Sequence, residues 1–467
     1  MTLPPSLAML LHAPCSSCRT NHCRGCFSPI SCPVSCKGSS KNSKCGIESC
    51  CAEGRAIALF ETLGGFDRQY LGERATSESR ALAAMAKRKP ANANSVGPGG
   101  TGYGTDTYGN GYGRGGRHGW GRGNGAVAES RKTSRADELA AHWEEIIVRA
   151  LNTLTALLPS PYADSAKVYD ILPHVSIEPL LSLSKLPELL GTLLRNDSVT
   201  DWIARSETYH AMIALLRRMA DCELSVQVLI VQRWEMYKSC GIESWMWGDG
   251  EITWETDKAG GIERAPPLYD HFKKLTKQCE TFCAGASQMM DTGRAGDGGE
   301  DVQETMVKAT SLCGDIIAAR DDMERAMAVL GNAAPPDGVS SSNSHLESEH
   351  DPSSSNSRDM NQGKGKGRDP AMDMEKAYSR ACERLAFKHV MLSEDKKGKG
   401  KGLNYAHHNY AKYLNQTETT TRNPRDRLHL VKELAVMATS LPPGVWVRVD
   451  EVRNDAMWVC YVLFRPS

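Results

Sequence analysis

Nine of the chain's 16 cysteines fall between Cys15 and Cys51, a stretch with only a handful of large apolar side chains. A segment that short cannot bury enough surface to hold itself together and needs metals, disulfides or a partner. Cys15-x2-Cys18 and Cys23-x2-Cys26 are two tight pairs, and Cys32, Cys36, Cys45, Cys50 and Cys51 follow, with His22 nearby. A two-residue gap lets both thiolates of one turn face the same ion, and zinc takes four such soft ligands in a tetrahedron. The expected ligands are Cys15, Cys18, Cys23 and Cys26, with Cys32, Cys36, Cys45 and Cys50 as the second set. Which pairs share an ion stays open, because cross-braced modules join the first pair to the third and ribbon modules join adjacent pairs. The competing structure is an oxidised disulfide knot. A catalytic thiol inside the cluster is a further alternative, for which metal ligation is the better explanation.

The redox setting follows from the N-terminus. Met1 to Pro14 lacks a basic start, and its apolar run from Leu7 to Leu11 is too short for a secretory signal. No apolar run approaches the roughly 20 residues of a membrane helix. The expectation is therefore a soluble cytoplasmic or nuclear protein with reduced thiols. Lys+Arg 56 against Asp+Glu 56 leaves no net field to recruit nucleic acid or membrane.

Composition divides the 467 residues into pieces. Residues 1–52 are the cysteine-rich zinc module and 53–90 a helical extension, in which Ala56, Ile57, Phe60 and Leu63 form a stripe ending at Gly64-Gly65. Residues 91–135 are a Gly-rich disordered linker carrying Tyr103, Tyr108, Tyr112, Arg114, Arg117, Trp120 and Arg122. Residues 136–331 read as a helical scaffold of short helices with close breaks, an armadillo-like stack without a clean repeat. Expected there are helices over Leu139 to Leu154, from Ile177 to a break at Pro187, over Tyr209 to Met219 and over Val226 to Tyr237, with Asn196-Asp197-Ser198 as a helix start.

A second disordered linker covers residues 332–372, and residues 373–422 are a connector, helical over Glu375 to Leu392 and interrupted at Lys396 to Gly402. Residues 423–467 change pattern. Asn423-Pro424 starts a helix carrying Leu428, Val431, Leu434, Ala435 and Met437, which stops before Pro442-Pro443. Val445, Val447 and Val449 alternate with Trp446 and Arg448 as a half-buried strand, Asp450 to Asn454 turns, and Met457 to Phe464 is a second strand. The fold class is mainly α, with a small zinc module and a closing α+β segment.

That closing segment resembles the start of a ubiquitin-conjugating (E2) core domain, and most closely that of the giant BRUCE/apollon-type E2 enzymes. Ser440, Leu441 and Pro442 match the family's helix end, and Val447, Arg448, Asp450, Glu451, Arg453, Asp455 and Met457 match its first strand and turn. Met437 replaces the family's Leu. Leu193 to Val199, Tyr209 to Leu216 and Tyr405 to Tyr410 are similar to segments preceding the E2 domain in those giants. The cysteine cluster resembles RING and in-between-RING segments, without complete RING spacing. The resemblance implies ubiquitin and ubiquitin-pathway proteins as partners. It implies no active thiol here, because the family's His-Pro-Asn-like motif and its thioester-forming Cys lie beyond the second strand. Cys460 is the only late thiol and is expected as a buried strand residue. The chain reads as a truncated E2 that should not conjugate ubiquitin by the family mechanism. The alternative is a zinc-dependent helical interaction scaffold without transferase activity.

Other motifs dissolve on inspection. Gly111-x-Gly113-x-x-Gly116 has the dinucleotide spacing but neither the strand before nor the helix after. Lys87-Arg88-Lys89-Pro90 is a short basic patch, read as solvated surface rather than an import signal. With three arginines, the Gly-rich linker is a spacer before it is an RNA-binding tract.

Overall fold

The computed structural model describes residues 6–36, 38, 45–87, 135–256, 260–291, 300–331, 370–392, 394–395, 403–404, 413, 423–451 and 453–461. The expected linkers, the basic patch at 88–90, the interruption at 396–402 and the stretch from Tyr405 to Tyr410 lie outside these residues, apart from the linkers' helical ends. The described chain is mostly helical, as expected. Among the described residues no helix is long and apolar enough to cross a membrane.

The N-terminal elements are α1 (Leu7–Leu11), a three-stranded antiparallel sheet of β1 (His12–Pro14), β2 (Asn21–Cys23) and β3 (Pro29–Ile30), and a 3₁₀ turn over Gly46–Ser49. Helix α2 (Ala52–Lys87) follows. It does not break at Gly64-Gly65 as its sequence suggests. Burial of Leu59, Leu63 and Phe66 outweighs a glycine penalty of about 1 kcal/mol per residue.

The chain forms two compact units, one made of Met1–Arg68 with Ile147–Ser467 and the other of Gln69–Ile146. The smaller unit contains the later part of α2 and the first turns of α3 (Arg135–Leu157), where the rings of Tyr70 and Trp143 lie 6.2 Å apart.

In the larger unit, short helices follow in quick succession: α4 (Val168–Ile171), α5 (Ile177–Leu183), α6 (Leu186–Arg195), α7 (Val199–Ala204), α8 (Ser206–Ala220) and α9 (Glu223–Ile230). Pro187 does mark a break, and it sits in the first turn of α6, where its missing N–H costs nothing. Ser198 caps α7 by accepting from the Asp201 amide, as its sequence signal indicates. Trp202 donates to the Asn196 carbonyl at 3.0 Å and the Tyr209 hydroxyl donates to that of Leu193 at 3.2 Å, so both buried aromatics pin the end of α6.

The helix expected over Val226 to Tyr237 stops at Ile230. Beyond it β4 (Arg233–Trp234) pairs with β7 (Arg264–Ala265), and β5 (Met236–Ser239) pairs with β6 (Ile252–Trp254), with α10 (Ile242–Trp247) between β5 and β6. Two local ladders satisfy this backbone, and the Arg233 guanidinium donates to the Pro187 carbonyl at 3.0 Å. The long helices α11 (Leu268–Asp291) and α12 (Glu300–Val329) pack together, burying Phe272, Leu275, Phe282, Leu312, Ile316 and Met323.

The closing segment begins with α13 (Pro370–Ala386), which passes directly into a strand, β8 (Phe387–Val390). The sequence suggests helix through Leu392. The difference arises because β8 pairs in parallel with β11 (Val445–Asp450), in the register Val447↔Phe387 to Asp450↔Val390, and buries Phe387 under α14 (Pro424–Ser440). A short ladder joins β9 (Glu394–Asp395) to β10 (Leu403–Asn404). Helix α14, capped by Asn423, and the hairpin of β11 with β12 (Met457–Tyr461) form where the sequence places them. Cys460 departs from expectation: β12 is the outer strand of the order β12-β11-β8, and Cys460 is exposed along with Trp458, Val459 and Tyr461.

Candidate metal centres

The sheet β1-β2-β3 and the start of α2 bring two groups of four soft donors together. His12, Cys32, Cys36 and Cys45 form the first, and Cys23, Cys26, Cys50 and Cys51 the second, with the ligand atoms of each group within 4.8 Å of one another. Along the chain the groups interleave: His12 comes first, then Cys23 and Cys26, then Cys32, Cys36 and Cys45, and last Cys50 and Cys51.

In the first group His12 Nε2 lies 3.0 Å from Cys32 Sγ and 3.4 Å from Cys45 Sγ, and the two sulfurs are 4.0 Å apart. In the second, Cys23 Sγ is 3.6 Å from Cys51 Sγ, and Cys26 Sγ is 3.6 Å from Cys50 Sγ. A disulfide would need about 2.05 Å. A four-coordinate ion with metal–sulfur bonds of about 2.3 Å separates two sulfurs by about 3.8 Å and a sulfur from a nitrogen by about 3.5 Å. The sulfur–sulfur spacings and the His12–Cys45 spacing lie near the edges of such a tetrahedron, the His12–Cys32 spacing is shorter, and every cysteine is a free thiol.

The surroundings tune the donors. His12 Nδ1 donates to the Ala8 carbonyl and Nε2 faces the sulfurs, the usual outer-sphere arrangement of a ligating imidazole. Buried Asn21 donates to the Pro33 carbonyl at 2.6 Å, with Cys32 Sγ 3.6 Å from the same amide nitrogen. The Gly54 amide, in the first turn of α2, donates to Cys51 Sγ at 3.1 Å, so the positive helix end faces a thiolate. The approach is tight. A Cβ on Gly25 would lie 2.4 Å from the Gly54 nitrogen and 2.9 Å from Cys51 Sγ, so the Cys23–Cys26 loop requires glycine there.

Proton affinities within the groups diverge. Hydrogen bonds from Ser28 hold the Cys26 thiol down at about 6, and the Gly38 amide lowers Cys36. Burial pushes Cys45 up to about 11 and Cys50 up to about 12, and raises Cys51 as well. Four sulfurs this close cannot all carry charge without a cation among them. Both groups could hold a metal ion.

Five of the eight sequence-selected cysteines thus lie with expected neighbours: Cys23 with Cys26, and Cys32 and Cys36 with Cys45. Cys50 joins Cys23 and Cys26. Cys15 and Cys18 belong to neither group and lie together in the β1–β2 loop. His12 and Cys51 are the donors that spacing alone missed. Cys51 carried a signal, since it directly precedes a helix whose N-terminus favours a thiolate. His12 carried none, because it precedes the cysteine run and its role depends on the fold of α1.

The closing segment is held by the residues that carry its resemblance. Val447 and Val449 are buried against Leu434 and Ala438 of α14. The buried Asp450 carboxylate accepts from the amides of Leu392 at 2.8 Å and Arg453 at 2.9 Å, and Arg453 forks onto Asp455 at 2.9 and 2.8 Å. These contacts make the motif a device for building a strand and its turn.

No established family profile matches the chain. Over 294 residues, 62% of its length, the chain is 26% identical to the human dual E2 ubiquitin-conjugating enzyme/E3 ubiquitin-protein ligase BIRC6, and 25% identical to the mouse protein of that name. The match takes in 5% of each relative, so the chain spans about a twentieth of the curated proteins it resembles. Wherever a stretch of that length begins, it includes α6 to α10, so the similarity is not confined to the closing helix and hairpin. It supports a distant relation to the ubiquitin pathway.

Proposed function

We propose that the chain is a ubiquitin-pathway protein in which a zinc-held N-terminal module and a helical scaffold present an E2-like helix–hairpin segment. The observation that carries this reading is the distant sequence similarity, and a local structural feature is in keeping with it. The similarity is to the BIRC6 proteins, and the feature is a helix followed by a hairpin whose turn is held by Asp450, Arg453 and Asp455. Zinc is the ion proposed for the two groups, because seven thiols and one imidazole in tetrahedral spacing suit it better than hard, oxygen-seeking cations. The role assigned to the chain is binding and positioning, in the cytoplasm or nucleus, with ubiquitin or ubiquitin-carrying enzymes as partners.

The test is direct binding. The zinc-loaded chain is immobilised and titrated with ubiquitin and with ubiquitin-activating enzyme, and saturable binding to at least one is expected. Absence of binding to both overturns the pathway assignment. A mercaptan-sensitive ubiquitin adduct on the chain, formed with activating enzyme and ATP, overturns the purely binding role.

A second reading, a metal-dependent interaction scaffold outside that pathway, is favoured by one surface. Trp234, Tyr237, Trp245, Met246 and Trp247 are all exposed around α10 and its flanking strands.

A further inference from the structure

The two Cys-x2-Cys loops share one backbone design. In the second, the Phe27 amide donates to the Cys23 carbonyl at 2.8 Å and the Cys23 amide to that of Ser28 at 2.9 Å. In the first, the Arg19 amide donates to the Cys15 carbonyl at 3.0 Å and the Cys15 amide to that of Thr20 at 3.0 Å. The residue after the second cysteine is left-handed in both, with φ of 57° at Phe27 and 54° at Arg19. Neither is glycine, so each holds a side chain in a backbone region that L-residues disfavour. Among the described residues these are the only non-glycine positions with positive φ. The second loop delivers its thiols to a four-donor group, while the first delivers Cys15 and Cys18 to neither.

A third soft donor lies beside the first loop. His22 is the middle residue of β2, and strand alternation turns it away from the buried Asn21 and Cys23 on either side. Its Nε2 is 3.9 Å from Cys18 Sγ, close to a tetrahedral sulfur–nitrogen edge of about 3.5 Å, and the Thr20 hydroxyl lies 2.9 Å from the same sulfur. Cys18 is exposed and Cys15 half-buried, so solvent reaches the loop.

We propose that Cys15, Cys18 and His22 form a third zinc site, distinct from the two four-donor groups, with three protein ligands and one open position. A side-chain rotation at Cys15, which shares the loop with Cys18, would bring its sulfur onto the ion held by the other two donors, and each thiol would give its proton to water as the metal binds. Water or an exchangeable soft ligand fills the fourth position, as in zinc sites that exchange ligands and unlike closed structural ones. The inference rests on the reading of the N-terminal module as zinc-held.

Metal counting on the intact chain tests it. Elemental analysis of the purified wild-type protein should give three zinc ions per chain, one of them released quickly to a chromophoric chelator. The double variant Cys15→Ser with Cys18→Ser should hold two ions and lack the fast phase. His22→Ala, which leaves both thiols in place, should lose the same phase and serves if the double variant does not fold. Two ions in the wild type and two in the double variant overturn the third site while leaving the module reading intact. A double variant that keeps the wild-type circular dichroism spectrum yet holds fewer than two ions overturns it differently, by placing Cys15 and Cys18 in the four-donor groups. A wild-type chain without zinc overturns both the third site and the module reading.

Discussion

Asp67 is buried within α2, and its two carboxylate oxygens accept from the amides of Lys185 at 2.8 Å and Ile242 at 2.9 Å. One side chain therefore fixes the entry of α6 and the start of α10 against α2. Burial raises its pKa to about 6, in spite of those two donors. An unfolded Asp titrates near 3.9, so between these values the folded chain binds the extra proton. The contribution of this carboxyl to stability is complete below about pH 4 and is lost as pH rises through about 6. The shift of about two units corresponds to roughly 3 kcal/mol at most. In Asp67→Asn the titration disappears, and one buried amide loses its acceptor at a cost of about 1–3 kcal/mol. Urea unfolding at pH 4.5, 5.5 and 7 should show the stability of the wild type relative to Asp67→Asn declining as pH rises. A pH-independent difference would place Asp67 at an ordinary carboxyl value.

At the scale of elements, the pairing of α14 with α11 depends on an absent side chain. A Cβ at Gly285 would sit 2.9 Å from one methyl of Val431 and 3.2 Å from the other, so the helices touch backbone to side chain. Gly285→Ala gains about 1 kcal/mol of helix propensity but forces the helices apart, at about 1–3 kcal/mol. The net expectation is a loss of about 1 kcal/mol in the wild-type background. In a Val431→Ala background the same substitution should become stabilising, and a double-mutant cycle of thermal midpoints reads this reversal of sign. The elements most legible in the sequence were those that carry their own punctuation. Asn423-Pro424 before an apolar stripe and Ser198 before α7 are local signals, and the Val445–Val449 alternation reports a strand with one buried face. The missed elements depend on distant partners. Phe387-Lys-His-Val390 has no alternation of its own and becomes a strand because β11 pairs with it. Arg233 to Ser239 leaves the helical pattern because residues 252–265 complete its ladders. For the metal centres, donor types and tight pairs could be read from spacing, whereas the partition into groups depends on which loop α2 meets.

At the scale of the larger unit, the closing helix and hairpin are joined to other elements as well as to each other. Within residues 423–467, α14 covers one face of the β11–β12 hairpin through Leu434, Ala438, Val447 and Val449. The remaining partners come from elsewhere: β8 supplies the second neighbour of β11, and the Leu392 amide meets Asp450. Gln278 donates to Thr439 at 2.6 Å, Asn454 donates to the Gly285 carbonyl at 3.2 Å, and Lys432 donates to Thr200 at 3.0 Å. Cutting the chain before Asn423 would leave Val431 facing water and strip β11 of a strand. A lone helix and two-stranded hairpin are marginal in water. Residues 423–467 expressed alone should therefore show a largely unfolded far-UV circular dichroism spectrum and poorly dispersed amide resonances, while the intact chain shows the hairpin protected from hydrogen exchange. A cooperatively melting fragment would mean that the hairpin and its helix form an autonomous unit, and that the helical scaffold merely carries it.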